Sequence, residues 1–305
     1  MQIKENDIIR CVYTQQETEK LGLTGVAQGL TYHTDPGKVP YLSFPGLEAL
    51  PGIGHLYTTR LGGVSEGIFG DMNFSILRGD TPEHVHENYG RVAATLHIEP
   101  SHLVASYQTH TKVVRDVDEA SWGMGVTRDR DYVDVDGLIT ATPDTGLVIF
   151  YADCVPILFA DPVKRVIAAC HAGWRGTAMG IPGEVLHKMT QEYGCNIQNI
   201  HAGIGPSISG REYEVGQDVI DAFAMDYPGD VEALKEMGVI HAKGNGKFLL
   251  DLWGANARLL LNAGILPEHL EITDICTFEN PELLFSHRAS NGKRGVLCAF
   301  LTLQE

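Results

Sequence analysis

The stretch Val166–Gly176 reads VIAACHAGWRG. Its first five residues suit a buried strand, and they run directly into a histidine, two glycines, a tryptophan and an arginine. Upstream lie further β-like runs at Gly137–Ala141, Leu147–Tyr151 and Val155–Ala160, with no helical segment between them. Strands that follow one another in this way exclude a regular alternating parallel fold. They predict a mixed α/β (α+β) layered sandwich, with helices packed on a largely non-parallel sheet.

Working outward, more strand-like runs occur at Ile8–Tyr13, His55–Thr59, Leu103–Tyr107, Val113–Val117, Ile200–Ile204, Glu271–Ile275 and Val296–Leu301. Helical spacing is clearest over Pro82–His97, where Val85, Tyr89, Val92 and Leu96 fall on one face. Thr177–Tyr193 and Phe248–Ala263 are further predicted helices, stopped by Gly194 and Gly264. No repeat, low-complexity segment or long linker divides the chain. The expectation is a single domain over 1–305.

A chain of 305 residues with 44% apolar side chains can bury a substantial core. Its net charge of −16 repels nucleic acid at long range, yet leaves room for a small anion in a locally basic pocket. The first residues, MQIKENDIIR, lack the features of an export signal. The most apolar stretch, Gly146–Ala160, is interrupted by Asp153 and Pro156, so no membrane span is expected. Six scattered cysteines without a CxxC pair fit free thiols in a reducing cytoplasm, with Cys170 and Cys298 as core residues.

Three segments carry potential chemistry: SYQTHT (106–111), YADCVP (151–156) and CHAGWRG (170–176). Each sets a candidate ligand or catalytic group, His110, Cys154 or His171, at a predicted strand edge. Singly, each also fits a structural role, and their separations are not those of a compact zinc finger.

Taken together with TTRLGGVSEG (58–67), GIGPSISG (203–210), YEVG (213–216) and FSHR (285–288), these segments resemble the laccase-domain family across residues 55–300. That family was long labelled multicopper polyphenol oxidase and is similar to bacterial and animal purine nucleoside phosphorylases; its fold resembles the cytotoxic-necrotizing-factor-like toxin deamidases. The resemblance implies that His110, Cys154 and His171 hold one zinc ion, leaving a fourth position open. It further implies phosphorolysis of adenosine, inosine, guanosine or methylthioadenosine, with adenosine deamination as a second activity. The partners are then a purine nucleoside and phosphate, and oligomeric state stays open.

Within that reading, Asp153 is a candidate to orient a histidine ligand or handle a proton. Arg175, Arg60 and Arg288 are candidates to clamp phosphate, Arg175 with help from the start of the following helix. Gln108, Asn73 and His287 are further substrate-binding candidates. Trp174 fits a packing anchor better than a base-stacking residue. The family often has glycine where Thr111 follows His110, which alters the approach at that turn.

Two other enzyme readings follow from the same residues. A copper polyphenol oxidase would need several His-x-His pairs, whereas the chain has one, His84 and His86, on the polar side of its helix. Copper as a substitute in the zinc site remains compatible with nitrogen and sulfur ligands. A thiol hydrolase or deamidase would use Cys154 as nucleophile and His171 as base.

Overall fold

A computed structural model describes residues 3–227 and 230–305. One sheet has seven strands in the order Ala27–Gln28, Leu270–Ile272, His201–Ile204, Val155–Asp161, Val166–Ala172, Gly137–Thr140 and Val114–Asp116. A second has six, in the order Thr31–His33, Tyr41–Ser43, Ile53–Thr58, Leu297–Leu303, Thr145–Tyr151 and Leu103–Ala105. Both are antiparallel through their centres; the seven-stranded sheet has parallel pairs toward both edges, and the six-stranded sheet has one, between Leu103–Ala105 and Thr145–Tyr151. The mixed, largely non-parallel sandwich expected from the sequence is what forms.

The period of two in each central strand assigns the layers. In Val166–Ala172, residues Val166, Ala168, Cys170 and Ala172 join one apolar cluster with Val185, Leu186 and Met189 of the helix Ile181–Gln191. Ile167 and Ala169 point the other way, into a cluster shared with Leu147, Ile149, Leu297 and Leu301 of the six-stranded sheet. The alternate residues of that sheet, Val148, Cys298 and Phe300, meet Val85, Tyr89 and Val92 of the helix Pro82–Thr95. The result is four layers: helix, sheet, sheet, helices. Strands covered on both faces are apolar throughout, which is why Val166–Cys170 reads as a continuous run.

Several expected elements change. Ile8–Tyr13 makes only an isolated bridge, Arg10 with Ile275, because the neighbouring strand ends at Ile272. The helix expected over Thr177–Tyr193 is two helices, Trp174–Ala178 and Ile181–Gln191. Pro182 cannot donate its missing N–H, and Gly180 turns the chain with φ of 74°. Phe248 lies in a strand, Lys247–Leu250, and the helix starts at Leu252 once Asp251 caps the backbone of Trp253 and Gly254. That strand pairs with Glu214–Gly216 and Ile240–Gly244 in a small third sheet with no counterpart among the expected strands.

Candidate functional site

Three strand ends of the seven-stranded sheet converge. Val155 pairs with Ala172 and Pro156 with His171, so Cys154, just before the first strand, lies beside the end of the second. Cys170 pairs with Gly137, which sets Asp136 against His171 from the other side. By alternation, Cys154, His171 and Asp136 share the parity of Leu158, Ile167 and Leu138, the face turned toward the second sheet. His110 arrives from the loop after Leu103–Ala105, in a left-handed conformation with φ of 67°.

Ligand atoms of His110, Cys154 and His171 lie within 4.8 Å of one another. The two imidazoles are 5.0 Å apart at their centroids and steeply inclined. Burial alone would raise the Cys154 thiol, but the charge and hydrogen bonds of His171 and His110 bring it down to about 6. Burial alone would lower His171, but the Cys154 thiolate and the Asp136 carboxylate lift it to about 9. Two imidazoles and a thiolate suited to a divalent ion therefore stand preassembled.

Asp136 was not singled out by the sequence reading, and it organises the site. Its buried carboxylate meets His171 Nδ1 at 2.8 Å and accepts from the backbone N–H of Thr109, His110 and Thr111 at 3.0, 3.1 and 2.9 Å. One acid thus orients one ligand and shapes the loop that carries another. The Thr111 hydroxyl adds a bond to the same carboxylate at 3.0 Å, so the departure at this position contributes a donor. The rule that drew attention to Asp153, an acid at a strand edge, applies equally to Asp136.

Asp153 is placed otherwise than expected. Its carboxylate accepts from the Thr277 hydroxyl and from the backbone N–H of Arg288, both at 2.6 Å, so it ties the Phe285–Arg288 segment to the site instead of orienting a histidine. Arg60 is also engaged: its guanidinium donates to Gly70 O at 3.0 and 3.1 Å and to Pro281 O at 2.7 Å. Asn73 is fully buried, with bonds to Ser75, Asp80 and Val296 that use both ends of its amide. Gln108 spans the N–H and C=O of Phe150, each at 2.7 Å, and so pins the His110 loop to the second sheet.

Arg175 is exposed, with its guanidinium 4.2 Å from the ring of Trp174, which packs on the core as expected. Arg288 lies 5.4 Å over Tyr213 and donates to Glu214 O. Tyr213 links these to the triad. Burial pushes its phenol up, Cys154 and Asp153 add to the rise, and Arg288 and Arg175 oppose it. His287 is exposed near Gly292.

The triad opens into a cleft of about 1500 Å³. Phe74, Tyr107 and Phe150 give it an aromatic wall, while Arg78 and Arg294, neither singled out before, give it positive charge. The sequence signal for Arg294 was the GKRG run ahead of the last strand. Among the described residues, His110, Cys154 and His171 are the one group of three such side chains placed to hold a metal, and no helix is long and apolar enough to cross a membrane.

Fold and site together define a layered mixed α/β protein with a two-histidine, one-cysteine group that could hold a metal in the lining of a large cleft. The model of a protein family described as multi-copper polyphenol oxidoreductase laccase matches residues 54–304, and the chain belongs to that family. A purine nucleoside phosphorylase of Deinococcus radiodurans is 36% identical over 271 residues, 88% of this chain and 95% of that protein. Purine nucleoside phosphorylase YlmD of Bacillus subtilis is 33% identical over 254 residues, 82% of this chain and 88% of that one. The crystal structure of hypothetical protein YfiH of Bacillus licheniformis matches with a TM-score of 0.82 at 32% identity, covering 90% of this chain and 99% of its own.

Proposed function

We propose that the protein is a zinc-dependent purine nucleoside phosphorylase of the cytoplasm, formed by one catalytic domain over residues 1–305, with adenosine deamination as a secondary activity. The observation that carries this is the His110, Cys154 and His171 group, within 4.8 Å, at a cleft large enough for a nucleoside. Relatives named purine nucleoside phosphorylase support the reaction class.

Phosphorolysis breaks the bond between ribose C1′ and the purine nitrogen and joins C1′ to a phosphate oxygen. Positive charge develops on the sugar, and a dianion must be held beside it. His110, Cys154 and His171 would hold the zinc. When bound, the ion would supply a Lewis acid beside the cleft, the chemistry that deamination also requires. Asp136 keeps His171 in the tautomer that presents its other nitrogen to the ion. Arg175, Arg288 and His287 are exposed and lie outside the cleft lining, so contact with the nucleoside would fall to its outer end; Asp153 acts by holding the Arg288 segment, Gln108 the His110 loop, and Asn73 and Arg60 the turns around them.

Metal analysis and base release from adenosine and inosine, with and without phosphate, test this in wild type and Cys154→Ala. The expected result is about one zinc per chain, phosphate-dependent release, and loss of both metal and turnover in the variant. Cys154→Ala retaining both would remove the mechanism. Phenol oxidation requiring stoichiometric copper would favour the oxidase.

A thiol hydrolase or deamidase has its own support: Cys154, His171 and Asp136 form a thiol, base and orienting-acid series. Alkylation of Cys154 that added zinc does not slow would favour that reading, because a coordinated thiolate is a poor nucleophile.

A further inference from the structure

The chain has 39 acidic against 23 basic side chains, yet the cleft wall is cationic. Arg78, Arg128, Arg130 and Arg294 line it against a single carboxylate, Asp129. Two of the four have evident structural work. Arg128 donates to Trp122 O and Ala120 O, and Arg130 donates to Ala105 O while lying over Tyr107 and Phe150. Arg78 and Arg294 form no ion pair among the described residues. Arg294 spends one terminal nitrogen on Gly295 O at 2.8 Å, and its buried Nε has no partner.

Two like charges brought together with no carboxylate paired to either are unfavourable, and the charges of Asp153 and Cys154 offset this for Arg294 only in part, so something in the fold must hold them there. That something is Asn73. Its Nδ2 donates to Ser75 O and to Asp80 at 3.1 and 2.8 Å, which fixes the turn leading into Ile76–Arg78. Its Oδ1 accepts from Val296 N–H at 2.8 Å, which fixes the segment leading out of Arg294. One fully buried amide thus ties both arginine-bearing segments together. The cost of this convergence shows in Arg294, which burial and then the charge of Arg78 lower to about 10.

We propose that Arg78 and Arg294 form the subsite for the inorganic phosphate co-substrate, with Asn73 as its positioning residue. The assignment rests on the phosphorolysis reading for the source of the anion. The three arginines first expected to bind it lie outside the cleft lining: Arg60 is held by the carbonyls of Gly70 and Pro281, Arg175 lies on Trp174, and Arg288 lies over Tyr213 and donates to Glu214 O. A phosphate dianion would pair directly with both guanidinium groups, as no carboxylate among the described residues does, and would accept from the terminal N–H groups of Arg294 that Gly295 O does not use, within the cleft that His110, Cys154 and His171 also line.

The test is calorimetric titration of the metal-loaded full chain with inorganic phosphate, in wild type, Arg78→Met, Arg294→Met and Arg294→Lys. Arg78 is exposed, so Arg78→Met reads the charge without a risk to folding. Each methionine variant is expected to weaken phosphate binding and raise the KM for phosphate about tenfold or more. The KM for inosine should change about twofold or less, and Arg294→Lys should recover part of the loss. Phosphate binding equal to wild type in both methionine variants, or no phosphate binding by wild type, would overturn the proposal. A second arm compares AMP with adenosine in phosphate-free buffer. AMP bound about tenfold tighter than adenosine in wild type but not in Arg294→Met would assign the arginines to a nucleotide's own phosphate and overturn the co-substrate assignment. If base release needs no phosphate while the methionine variants still lose phosphate binding, the subsite stands and the phosphorolysis reading falls.

Discussion

At the scale of single residues, the thiol of Cys154 and the imidazole of His171 have exchanged their usual order of acidity. The thiol is drawn from 9.0 down to about 6, and the imidazole is lifted from 6.5 to about 9. A depressed acid stabilises the folded chain above its unfolded value, and that contribution is lost as pH falls through about 6. A raised base stabilises it below 6.5, and that contribution is lost as pH climbs through about 9. Metal-stripped protein should therefore hold a thiolate–imidazolium pair between those limits. Iodoacetamide labelling of Cys154 should rise through pH 6 in that protein, whereas a rise near 9 would show an ordinary thiol. Gly173 has a different role. Its backbone angles suit any residue, but a Cβ there would sit 3.1 Å from both Cys154 Sγ and His110 Cδ2. Gly173→Ala should thus fold normally yet bind zinc about tenfold more weakly by competitive chelation, a difference of roughly 1.4 kcal/mol.

At the scale of elements, the strands that build the site were legible because burial on both faces leaves an apolar run with turn residues at its ends. His110, Cys154 and His171 were legible as candidates for a related reason: each stands at the edge of a predicted strand, in a short motif of polar and turn residues. The kink at Gly180 and the strand Lys247–Leu250 were not. Proline and glycine fall inside a pattern whose apolar spacing continues across them, and Phe248 fits a helix face and a strand equally well. Gly180→Ala tests the kink. At φ of 74° a Cβ is strained, so the variant should lose about 1–2 kcal/mol and melt several degrees lower. An unchanged melting temperature would mean that the turn tolerates a side chain.

At the scale of the whole molecule, the two large sheets share the core that carries Leu147, Leu158, Ile167 and Leu301, and neither has an apolar face that could be exposed alone. The protein should accordingly unfold in one calorimetric transition, and two separable transitions would divide the proposed single domain. What the sequence by itself determined was where most strands of the two large sheets lie along the chain, the three ligand candidates and the family, because apolar periodicity and short ordered motifs are local properties of the chain. What only the tertiary structure decided was which charges meet. Asp136 rather than Asp153 reaches the histidine, because strand register sets Gly137, not Asp153, beside Cys170. Arg78 and Arg294 share the cleft because one buried asparagine joins segments 223 residues apart, from Asn73 to Val296. Such pairings depend on register and through-space distance, and neither is written in the spacing of residues along a chain.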